Sequence, residues 1–182
     1  MRIVSRILVL ALAFLAVTAC VSRVGPAGAP PVSTPPSVSP IAGECDTADI
    51  DVTGAPGAEP VVTLPTGCAP PSRLLTRDLI VGDGREARVG DDIVVGYVMV
   101  TWSDGKELDS SWSGGENLPF AVENLGRANV ISGWNDGLPG IREGGRRLVV
   151  VPPEHAYGEA GSGEVDGADT LVFVVDALTV RR

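Results

Sequence analysis

The sequence predicts an α+β domain: a mostly antiparallel β-sheet with one short helix laid across a face. Three observations predict it. From about residue 72 to Arg182, short β-branched runs alternate with Gly, Asp and Pro turn signals. A single stretch, Ser132 to Leu138, reads as helix, and it is brief. The last run, Thr170 to Val180, is nearly continuous in Leu, Val and Phe, which suits a buried strand.

Each element has its own signal. Leu74 to Val81 reads as a strand closed by Gly82-Asp83-Gly84, and Ile93 to Thr101 as a strongly β-branched second strand. Ser103-Asp104-Gly105-Lys106 is a hairpin turn marked by Asp-Gly. Glu107 to Ser111 and Leu118 to Val122 follow as short strands. The helix is entered from Val130 and Ile131, and Gly133 there permits close approach to its backbone. Trp134 directly after it can close the floor of a concave site. Arg147 to Val151 is a strand stopped by Pro152-Pro153.

The segments upstream divide the chain further. Residues 1–19 carry Arg2 and Arg6, then an apolar run from Ile7 to Val17 too short to span a membrane, and small residues before Cys20. These are signal-peptide features, and Val17-Thr18-Ala19-Cys20 resembles the lipobox of bacterial lipoproteins. That resemblance implies lipidation of Cys20 and an extracytoplasmic, membrane-anchored protein. Residues 20–44 hold six prolines among Ser, Ala and Gly and are expected to be a disordered, partly polyproline-like tether. Residues 45–71 suggest a small β annex, with Ile50 to Thr53 and Val61 to Leu64 as strands flanking Gly54-Ala55-Pro56-Gly57. In an oxidising compartment Cys45 and Cys68 are expected to pin it as a disulfide. Residues 72–182 are the main domain.

Charge narrows the function. Removing residues 1–19 leaves 12 basic residues (14 less two arginines) against 23 acidic ones, a net −11. Such a balance has no electrostatic footprint for nucleic acid. His155 is the sole histidine, which leaves no second site to corroborate a nucleophile–base pairing. Gly82-Asp83-Gly84 precedes a strand rather than a helix, against a phosphate loop. Glu159, Glu164, Asp166 and Asp169 lack calcium-loop spacing and read as a solvated flap.

Seven aromatics remain after the signal segment: Tyr97, Trp102, Trp112, Phe120, Trp134, Tyr157 and Phe173. The ordered motifs Asp104-Gly105-Lys106-Glu107-Leu108-Asp109-Ser110-Ser111, Pro119-Phe120, Val130-Ile131-Ser132-Gly133-Trp134, Ala156-Tyr157-Gly158 and Thr170-Leu171-Val172-Phe173 resemble those of FKBP-type peptidyl-prolyl isomerases. The resemblance spans about residues 74–180. It implies a strongly curved antiparallel sheet wrapped around the helix, with a proline pocket between them. Tyr97, Asp109, Ile131 and Tyr157 are then the catalytic positions, and Leu108, Phe120, Val130, Trp134, Val165 and Phe173 the substrate-binding ones. It further implies no cofactor or metal, proline-containing segments of exported proteins as substrates, macrolides as weak ligands, and a monomer. A non-catalytic chaperone or peptide-binding module on the same fold is the alternative. The sequence departs from the family where Leu108 replaces a frequent Phe. The segment between Ser111 and Pro119 is longer than in the shortest members and lacks an arginine, and the flap from Glu159 to Asp169 lacks prolines. Shifted substrate choice and weaker macrolide binding are expected from these departures.

Overall fold

A computed structural model describes residues 43–113 and 118–182. The expected signal peptide, the lipidated Cys20 and the tether up to residue 42 lie outside the described residues. Eight strands and one α-helix are seen among the described residues. β1 (Asp51–Thr53) and β2 (Val61–Thr63) pair as an antiparallel hairpin of their own. β3 (Leu75–Ile80), β4 (Asp92–Thr101), β5 (Glu107–Ser110), β6 (Phe120–Val122), β7 (Arg146–Val151) and β8 (Leu171–Arg181) make one antiparallel sheet. Its order is β3-β7-β8-β4-β5, with β6 also on β4. The helix α1 runs Ser132–Gly137.

The long central pair gives the sheet its bend. β4 and β8 match from Asp92↔Arg181 to Thr101↔Leu171, with a register shift between Val94 and Val95 that leaves Leu178 as the extra residue. Such a bulge bends and twists its strand. β6 pairs β4 at Ile93 to Val95, and β5 pairs it at Val98 to Val100.

Alternation on the strands sorts side chains onto two faces. On the concave face Val95, Met99, Val149, Val151, Phe173 and Val175 form the main core with Trp134 and Leu138. On the convex face Leu148, Val150, Val172 and Val174 are covered by Ile50, with Val52, Val62 and Leu64 packed alongside. The annex is therefore a third layer. This explains why β7 is buried at every residue and β8 from Leu171 to Ala177, and why Leu148 to Val151 and Leu171 to Val175 read as unbroken apolar runs. The annex is closed by the Cys45–Cys68 disulfide, with Cys45 N–H donating to the Ala69 carbonyl at 2.9 Å.

Two neighbouring arginines on β7 hold the outer layers. The Arg146 guanidinium pairs with Asp176 (2.5 and 2.7 Å) and donates to the Gly54 and Ala58 carbonyls of the annex at 3.2 and 2.7 Å. The Arg147 guanidinium pairs with Asp78 (2.6 and 3.1 Å) and donates to the Gly137 and Pro139 carbonyls at 2.9 and 3.0 Å. It thereby satisfies carbonyls that the end of a helix leaves open and sets a cation against the negative end of its dipole.

Candidate active site

Two glycines on one side of α1 decide how closely it sits on the sheet. A Cβ at Gly133 would lie 2.4 Å from Val151 Cγ1, and one at Gly137 would lie 3.0 Å from Val149 Cγ1. The i, i+4 spacing presents both to the same strand, β7. The Asn135 side chain fixes the approach to the helix. Its Oδ1 accepts from Ala128 N–H at 2.9 Å and its Nδ2 donates to the Ala128 carbonyl at 3.1 Å.

Trp134 then stands at the centre of an aromatic cup. Its ring meets Tyr97, Phe120 and Phe173 edge-on at centroid distances of 5.3, 5.9 and 5.5 Å, and Tyr97 meets Phe120 at 6.1 Å. Edge-to-face packing of this kind is favourable beyond burial alone. Trp134 and Phe173 are 4% and 3% exposed, whereas Phe120 and Tyr157 are 41% and 39% exposed. The first two make the base and the second two the rim. The cavity they enclose has a volume of about 270 Å³ and is also lined by Met99, Asp109, Asn129, Val130 and Ile131.

The polar handles are few. The Tyr97 hydroxyl donates to Asp109 Oδ2. Burial, and then the hydrogen bond and charge of Asp109, hold the Tyr97 hydroxyl well above its ordinary pKa, so it stays protonated. Glu107, on β5 with Asp109, has its carboxyl pKa raised mainly by burial and then by the charges of Glu59 and Asp109. The Ile131 N–H and the Tyr157 hydroxyl donate to no acceptor among the described residues. Both residues line the cavity, so its wall carries two donors with their protons uncommitted.

Eight of the ten expected site residues line this one cavity: Tyr97, Asp109, Phe120, Val130, Ile131, Trp134, Tyr157 and Phe173. Leu108 and Val165 do not; both pack into the concave-face core behind it. A register shift on β5 makes Leu108 the extra residue opposite Met99 and Val100, so Leu108 enters the core while Asp109 still reaches the cavity. Val165 is turned inward by reciprocal bonds between its backbone and that of Ser162, at 3.0 and 2.9 Å. Met99 and Asn129 line the cavity unanticipated. Met99 looks like ordinary core in sequence, although its alternation with Tyr97 on β4 was a usable signal.

The neighbouring flap is ordered by glycine. Cβ atoms at Gly161 and Gly167 would fall 2.3 and 2.1 Å from the Val165 and Glu159 carbonyl oxygens. Asp169 accepts from Ser103 Oγ at 2.6 Å and Glu164 pairs with Lys106 at 3.0 Å, tying the flap to the β4–β5 turn. His155 Nδ1 lies 3.3 Å from Ser132 Oγ and 3.6 Å from Asp136 Oδ2. Both contacts use one ring nitrogen, whereas a nucleophilic triad needs the serine and the acid on opposite nitrogens.

Residues 83–178 match the FKBP-type peptidyl-prolyl cis-trans isomerase family. Over 121 residues the chain is 44% identical to a probable FK506-binding protein of Corynebacterium glutamicum, covering 66% of this chain and 98% of that one. The chain belongs to the FKBP-type isomerase family. An FK506-binding protein of Streptomyces anulatus is 42% identical over 124 residues, covering 67% of this chain and 97% of its own length. The crystal structure of FkpA from Escherichia coli superposes with a TM-score of 0.53 at 39% identity, covering 59% of this chain and 48% of that one. That of AtFKBP13 gives 0.52 at 34% identity, covering 58% and 91%. The family segment begins at residue 83, so the annex at residues 45–71 lies outside it.

Proposed function

We propose that this FKBP-type chain accelerates cis–trans isomerisation of Xaa-Pro bonds in exported proteins, at the outer face of the bacterial cell membrane, anchored through lipid on Cys20. The observation that carries the reading is the cup itself: Trp134 beneath a hollow walled by aromatic edges, with uncommitted donors at Ile131 and Tyr157. Rotation about the proline amide is slow because resonance sets a barrier of about 20 kcal/mol. The planar amide is more polar than the twisted one, in which nitrogen and carbonyl are decoupled. An apolar cup therefore disfavours the planar form more than the twisted form, which is differential binding of the transition state. Phe120, Trp134 and Phe173 enclose the proline ring, Val130 completes the wall, and Leu108 and Val165 back it from the core. The Ile131 N–H and Tyr157 hydroxyl hold the peptide carbonyls. Asp109, bonded to Tyr97, faces the reacting carbonyl and acts through its charge. The same cavity would admit macrolides of the kind named in the relatives.

A protease-coupled assay on a short Xaa-Pro peptide tests the activity; no acceleration at micromolar protein would leave only a peptide-binding module. Cys20→Ser tests the anchor, because it should release the protein from membranes. Retention of the variant on the membrane would remove the lipid from the account.

A further inference from the structure

The isomerase chemistry leaves one contact unassigned, where the annex reaches the strand that carries Asp109. Ser110 Oγ donates to Glu59 Oε1 at 2.6 Å and accepts from the Trp112 backbone N–H at 3.1 Å. A hydroxyl has one proton, so Glu59 fixes which way that buried group points. β5 is four residues long and its ladder breaks at Leu108, so Asp109, paired with Met99, sits beside the break.

Glu59 is itself held from behind. Gly54, at φ +115°, lets its backbone approach the Glu59 carbonyl, where a Cβ would lie 2.9 Å away. The Gly54 and Ala58 carbonyls are bound by Arg146, which Asp176 anchors. Asp176 is in turn the register partner of Gly96, the residue before Tyr97. Both members of the Tyr97–Asp109 pair are thus braced from the convex side by one short path.

We propose that Glu59 is a positioning residue: through Ser110 it sets the Asp109 carboxylate against Tyr97, which makes the annex part of the active-site scaffold. The inference rests on the isomerase reading for its rate consequence, and on geometry alone for its structural one. Glu59 is exposed, so its substitution should leave the chain folded. In the mature protein, Glu59→Ala and Ser110→Ala are expected to lower kcat on an Xaa-Pro peptide by about fivefold, the consequence of one charge-assisted hydrogen bond. KM should stay within about twofold, since no group that binds the ground state is removed. Glu59→Gln, which still accepts from Ser110, should restore the rate. On an Asp109→Ala background Glu59→Ala should have no further effect. An equal loss on both backgrounds, or an unchanged kcat, overturns the proposal. Should the wild-type protein show no turnover, the isomerase reading falls, and NMR of the Tyr97 hydroxyl and Asp109 resonances decides the positioning alone. Resonances unmoved by Glu59→Ala would overturn it there too.

Discussion

Arg146 and Arg147 are adjacent on β7, yet they point to opposite faces of the sheet and hold different layers. The first clamps the annex to the convex face, and the second caps α1 on the concave face. Arg147→Ala removes three bonds to carbonyls at the end of α1 and leaves Asp78 unpaired. A loss of about 3 kcal/mol follows for a partly buried pair broken on one side. Because α1 carries Trp134, KM for the peptide should rise as well, which steady-state kinetics beside a denaturant titration would show. Arg146→Ala should instead open the annex, read as faster proteolysis within residues 54–60.

Asp109 and Trp134 share the cavity but do different work, and substitution separates them. Asp109 is exposed at the rim, and its bonded partner Tyr97 can turn to water. Asp109→Ala should therefore lower kcat by about tenfold, near 1.4 kcal/mol, with little change in melting temperature. Trp134→Ala empties the base of the cup and should cost about 3–5 kcal/mol of stability besides activity. If Asp109→Ala left the rate unchanged, the electrostatic role assigned to it would be wrong.

Much of this was readable from residue pattern. The strands of the main sheet follow β-branched runs bounded by Asp-Gly or Pro-Pro, and their ends fall within one or two residues of expectation. The cup was traceable because four of its aromatics, Phe120, Trp134, Tyr157 and Phe173, sit in ordered motifs. What stayed hidden depends on contacts rather than period. β1 and β2 are three residues each, too short for alternation to show that Val52 and Val62 cover another sheet. The bulge that turns Leu108 into the core lies in a four-residue strand and has no pattern of its own. Arg146-Arg147 before an apolar run looks like a solvated strand end; only their partners, the buried Asp176 and the more exposed Asp78, reveal structural clamps.

Tyr97 sets a direction for alkaline pH. Its hydroxyl is held above the ordinary tyrosine pKa near 10, first by burial and then by Asp109. A raised folded-state value means that the neutral hydroxyl stabilises the fold. That contribution is fully present below the unfolded pKa and is lost as pH rises through the folded one. Absorbance titration should show one of the two tyrosines ionising later than the other. Asp109→Asn should bring the late one down part of the way, because burial remains. Two coincident titrations in the wild-type protein would contradict the Tyr97–Asp109 pairing.

Gly133 tests how the helix is seated. A Cβ there would meet Val151 Cγ1 at 2.4 Å and Cγ2 at 2.9 Å, both on a strand with no freedom to retreat. Gly133→Ala raises intrinsic helix propensity by up to about 1 kcal/mol, so propensity alone predicts stabilisation. Overpacking in a buried site costs about 1–3 kcal/mol and should win, lowering stability and pushing Trp134 toward the cavity. Val151→Ala removes both clashing methyls at the cost of a small void. The double variant should therefore be more stable than the sum of the two single losses, a coupling that denaturant titration of all four proteins would measure. Strict additivity would mean that α1 is not held against β7 through Gly133.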